Sequence, residues 1–155
     1  MKARGFTLVE MLVVLAMLGV LASAARPLLE LSAQRGREHE LRQSLRQLRD
    51  AIDAYRDAAE TGVVAKGIED SGYPPTLLAL VNGVPDATSP NGRKLYFLRR
   101  LPRDPFADPT LPAEQTWGLR AYDSPPDQRQ GGRDVFDVYS RSEKRSLDGS
   151  GMKDW

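Results

Sequence analysis

Glu10 is the only charged residue between Phe6 and Ala25, a run of 20 residues otherwise interrupted only by Thr7, Gly19 and Ser23. As a helix, a run of that length spans the hydrocarbon core of a bilayer. A carboxylate inside it costs about 2.5–3.5 kcal/mol on insertion scales and calls for a partner. Lys2 and Arg4 precede the run, and basic residues in that position keep the N-terminus on the cytoplasmic side. They lie toward the surface, so nothing nearby in the chain serves Glu10, whereas a group from a second molecule would. Two plainer readings of the segment are a secretory signal cleaved near Ala22 to Ala24 and a single-pass anchor. Neither accounts for the acid.

A second group of oxygen donors lies at the other end. Asp148 and Asp154 are six residues apart around the turn Asp148-Gly-Ser-Gly, with Ser150 between them. Two carboxylates, a hydroxyl and nearby carbonyls suit calcium, which takes six to eight oxygens in flexible geometry. Lys144, Arg145 and Lys153 crowd the same stretch and leave few acids to balance a divalent ion. The competing reading is a plain Asp-Gly turn with Trp155 packed as a C-terminal anchor.

Catalytic chemistry finds little to work with. His39 is the single histidine and there is no cysteine, which removes thiol chemistry, zinc-thiolate sites and disulfides. No nucleophile–histidine pair and no phosphate-cradling glycine loop occurs, so an enzyme is not expected. The net charge is +1 without a dense Lys/Arg block, so no nucleic-acid partner is expected either.

The elements that must position these groups follow from periodicity. Leu41, Leu45, Leu48, Ile52 and Tyr55 recur at spacings of four, three, four and three, one apolar stripe on an amphipathic helix. Arg42, Arg46, Arg49, Asp53 and Arg56 fall on the opposite face, which reads either as solvated or as a surface where some of these charges contact neighbouring subunits. Gly19 weakens the helix and Pro27 predicts a kink. Gly62, Gly67 and Gly72 then break the helical pattern. Tyr73-Pro-Pro-Thr introduces a short helix with Leu77, Leu78 and Val81 facing inward. Two antiparallel strands are expected over Trp117–Ser124 and Asp134–Ser142, joined by a polar loop with Gly131 and Gly132, and a third near Leu95–Arg99. The class is α+β, a long helix on a small antiparallel sheet.

The stretch RGFTLVEMLVVLAMLGVLASAARP, Arg4 to Pro27, resembles the class III signal of type IV pilins and type II secretion pseudopilins. The resemblance implies cleavage between Gly5 and Phe6 on the cytoplasmic side by the prepilin peptidase, then N-methylation of Phe6. It also implies that Glu10, fifth in the mature chain, pairs with the N-terminal amine of a neighbouring subunit. An amine and a carboxylate attract strongly in low dielectric, while either alone is costly.

LPRDPF, Leu101 to Phe106, is similar to a segment of the G-type, or major, pseudopilins, which hold calcium in a loop near the C-terminus. The usual loop is longer and more acidic than the one here. The implied organisation is a leader over 1–5, a membrane and filament-core helix over 6–26, an amphipathic helix over 27–60 and a periplasmic globular domain over 61–155. The implied partners are further copies and other pseudopilins in a helical filament, the inner-membrane secretion platform, and lipid. LPRDPF, the missing cysteines and the short C-terminal acid loop favour a secretion pseudopilus. A type IV pilus subunit for adhesion, motility or DNA uptake shares the architecture.

Overall fold

The computed structural model describes residues 7–125 and 127–155, without the side chains of Ala24 and Ala25. Its dominant element is α1, Leu8–Glu60. Thr7 caps it: the Glu10 amide donates to Thr7 Oγ1 at 3.2 Å and the Met11 amide to the Thr7 carbonyl at 3.2 Å. Thr7 and Glu10 thus stand at the N-cap and third helical positions, the spacing of a capping box. Pro27 lies inside α1 and does not end it, although a proline there removes one backbone hydrogen bond. The helix ends at Glu60, and two residues on the chain turns at Gly62, whose φ of 76° is open to glycine at little cost. Thr61 Oγ1 meanwhile donates to the carbonyl of Asp57.

By internal packing the chain divides into two units, with the boundary after Gly36. In the first unit every large apolar side chain from Leu8 to Leu31 is at least 42% exposed. The second begins where the stripe begins. Leu41, Leu45, Leu48, Ile52 and Tyr55 are all buried, joined by Ala51 and Ala59. They pack into one core with Leu77, Leu80, Leu98, Trp117, Val135, Val138 and Met152.

Helix α2, Leu77–Asn82, is capped by Thr76, whose hydroxyl accepts from the Ala79 amide. It buries Leu77 and Leu80, while Leu78 is exposed and Val81 half-buried. The expected inward trio was therefore off by phase: positions i and i+3 meet the core in a helix this short.

The strands form two separate two-stranded ribbons. β1 (Val84–Pro85) pairs antiparallel with β2 (Lys94–Leu95), and β3 (Trp117–Arg120) with β4 (Asp137–Ser140), Trp117 opposite Ser140 and Gly118 opposite Tyr139. The expected third strand is thus shorter, starts one residue earlier and pairs elsewhere. β3 and β4 are also shorter than the sequence implies. Past Arg120 the chain turns: the Tyr122 amide donates to Asp134 Oδ1 and the Ala121 amide to the Gln130 carbonyl.

Candidate functional site

Gly5 and Phe6 lie outside the described residues. Glu10 is described: it is exposed, in the first turn of α1, where a negative charge complements the helix dipole. No ion pair to its carboxylate is found among the described residues. The sequence reading placed Glu10 in an apolar run but missed that Thr7-Leu-Val-Glu10 also starts the helix. The signal was present in the threonine three residues ahead.

An 18-residue window of α1 has mean hydropathy 2.3 and none of it is buried. α1 is therefore long and apolar enough to cross a membrane.

At the opposite end of the chain the structure brings Asp148 and Ser150 together. Asp148 Oδ1 accepts from the Ser150 amide at 2.8 Å and from the Ser150 hydroxyl at 2.6 Å. Its other oxygen accepts from Arg42 Nη2 at 2.9 Å. The Ser150 hydroxyl oxygen itself accepts from the Trp155 indole at 2.8 Å. These bonds, the Ser150 hydroxyl first, hold the Asp148 carboxyl down at about 2. Asp154 has no share in this: its nearest cation is Arg129, at 4.0 Å.

Glu38, which the sequence reading did not single out, and Arg42, which it placed on a solvated face, complete the arrangement. Glu38 is 8% exposed and receives the Ser146 hydroxyl at 2.8 Å and the Leu147 amide at 3.0 Å. One helical turn on, Arg42 lies 4.0 Å from the centre of the Trp155 ring. Helix α1 therefore grips the C-terminal loop twice, through an acid and through a guanidinium.

This donor set does not fit calcium. Both oxygens of Asp148 are engaged, one of them by a cation. The Ser150 carbonyl accepts from the Ser146 amide at 2.9 Å. Among the described residues no group of three or more His, Asp or Glu could hold a metal. His39 is exposed on α1 and belongs to no such group.

LPRDPF turns out to be a structural knot. Asp104 is 2% exposed, and its carboxylate accepts from the Phe106 amide at 2.8 Å and the Ser140 hydroxyl at 2.5 Å. The Thr116 hydroxyl accepts from the Asp104 amide at 3.2 Å, and the Trp117 indole donates to the Pro102 carbonyl at 2.9 Å. The segment so fastens the starts of β3 and the end of β4.

Residues 1–25 match the family model described as a prokaryotic N-terminal methylation motif. The type II secretion system core protein G of Aeromonas hydrophila is 32% identical over 70% of this chain and 71% of its own. That of Klebsiella pneumoniae is 35% identical over 68% and 70%, and that of Escherichia coli K12 32% over 69% of each. The chain belongs to the type II secretion system core protein G family.

No solved structure matches it. The family name favours the secretion reading over the pilus one, and the family is one of structural pseudopilin subunits. Together with the apolar helix, membership supports anchoring in the inner membrane.

Proposed function

We propose that this chain polymerises, through the first half of α1, into the filament of a type II secretion machine and does no chemistry of its own. The carrying observation is a helix whose large apolar side chains from Leu8 to Leu31 are all exposed, with one acid, Glu10, in its first turn. An apolar surface of that extent needs lipid or neighbouring helices to cover it. In lipid the helix is an anchor, and in the filament it is a core.

Glu10 carries the assembly step. Cleavage after Gly5 by the prepilin peptidase creates an amine at Phe6. Glu10 of one subunit then receives the amine of the next, which neutralises two groups that are each costly in an apolar medium. The globular unit faces the periplasm, and the inner-membrane secretion platform adds subunits from below. Lys2 and Arg4 keep the leader cytoplasmic before cleavage.

Two measurements test this reading. Mass spectrometry of the mature protein is expected to start at methylated Phe6, whereas a start near Ala25 would mean an ordinary secretory signal. In cells whose only copy carries Glu10→Ala, membrane-anchored protein is expected at normal levels without filaments or secretion. Normal filaments in those cells would refute pairing in trans.

A further inference from the structure

The C-terminal loop of similar pseudopilins is expected to hold calcium, and this chain's loop is already filled from within. Four contacts surround one group. The Arg42 guanidinium pairs with Asp148 at 2.9 Å and lies 4.0 Å from the centre of the Trp155 ring. Trp155 in turn donates to Ser150, and Ser150 to Asp148. These contacts form a closed circuit of Arg42, Asp148, Ser150 and Trp155 with the positive charge at one corner. A planar guanidinium suits that corner, since one edge donates to a carboxylate while its face stacks on an indole.

The surroundings hold the loop in register for this pairing. Glu38 fixes Ser146 and Leu147. Gly149, at φ 87°, lets the chain reverse between Asp148 and Ser150. Beyond the turn, Met152 is fully buried in the core. A divalent ion would have to displace Arg42 from Asp148, with Lys144, Arg145 and Lys153 in the same segment and no group of three or more His, Asp or Glu among the described residues to hold it.

We propose that Arg42 is this chain's built-in cation, doing from helix α1 what a calcium ion does in similar pseudopilins, so that the C-terminal loop is ordered without calcium. The proposal goes beyond the filament reading and does not depend on it, because it concerns the fold of one subunit.

The test uses the full chain in detergent micelles, with calcium chloride as the probe. The melting midpoint of the wild type is expected to be the same in EGTA and in millimolar calcium. Arg42→Gln in EGTA is expected to lower the midpoint by a few degrees and to raise tryptic cleavage at Arg145 and Lys153 severalfold. Arg42→Lys, which keeps the charge and loses the planar stack, is expected to fall between them. Trp155→Leu removes the other side of the stack and is expected to open the same tryptic sites.

A wild-type midpoint that climbs by several degrees in calcium, with the climb lost in Asp148→Asn, would overturn the proposal. So would an Arg42→Gln protein that melts and is cleaved like the wild type. Arg42 is 45% exposed, so its substitution leaves a folded protein to measure.

Discussion

The two ends of helix α1 both carry apolar side chains and put them to opposite uses. From Leu8 to Leu31 the large apolar residues have no face: they surround the helix, and all are exposed. From Leu41 to Ala59 they keep to one stripe, and the stripe is fully covered by the chain's own core. A helix that is apolar all round needs its surroundings to supply a partner, whereas a striped one finds that partner in its own chain. The first unit is therefore where assembly is encoded and the second is where stability is encoded. Mutations in the two are expected to separate cleanly.

The largest effect comes from crossing that line. Leu48 is fully buried, so Leu48→Ala is expected to cost about 2–5 kcal/mol through lost burial and the cavity left behind. At roughly 4 °C per kcal/mol for a domain of this size, that is a fall of about 8–20 °C in the melting midpoint. Glu10→Ala is expected to leave the midpoint unchanged while abolishing filaments. Thermal melts of both full-length proteins in detergent, set beside filament yield, decide the matter. A Glu10→Ala protein that also melts low would mean that the first unit contributes to stability after all.

A smaller effect is expected at Asp104, which sits in the second unit yet belongs to a loop. Asp104→Ala leaves the Ser140 hydroxyl and the Phe106 amide without their acceptor. Unsatisfied buried donors cost about 1–3 kcal/mol. Asp104→Asn, which keeps an acceptor oxygen, is expected to cost less. Denaturant titration ranks the two, and equal losses would mean that the charge matters and the hydrogen bonds do not.

This loop also shows how far the sequence could be read. The stripe from Leu41 to Tyr55 was legible because helical periodicity is a local signal and burial followed it residue for residue. Glu10 stood out in the sequence because a lone acid in an apolar run is costly wherever it lies, and its pairing in trans is the proposal made above. The roles of Asp104, Glu38 and Arg42 were not legible. Each depends on a group far along the chain, Ser140, Ser146 and Asp148 respectively, and no spacing rule connects them. Arg42 was assigned to a solvated face, and by its position on the helix it is. What the pattern lacks is that the C-terminal loop comes back to meet it. The strands failed for a related reason: alternation marked β3 and β4, but their length is set by turns at Ala121 and Asp134 whose partners are again across the chain. Gly118 carries a similar long-range constraint. A Cβ there would stand 2.3 Å from the Tyr139 ring that faces it across the ribbon.

The smallest effect concerns acid. The Asp148 carboxyl is held at about 2, against about 3.9 in an unfolded chain. A depressed acid stabilises the fold above its unfolded value, and that contribution disappears as pH falls through the folded one. The C-terminal loop is therefore expected to loosen between about pH 4 and pH 2, with Asp148 titrating below the unfolded range in a carboxyl-carbon NMR experiment. Asp86 and Asp108 are lowered in the same direction, foremost by the Thr88 and Thr110 hydroxyls, so their contributions have the same sign. At Asp148 the Ser150 hydroxyl outweighs the Arg42 guanidinium, because Arg42 and Asp148 are both about half exposed and water screens their attraction. Ser150→Ala is accordingly expected to raise the titration midpoint more than Arg42→Gln does. The reverse order would mean that the guanidinium is better shielded from water than its exposure indicates, and that its charge dominates the titration of Asp148.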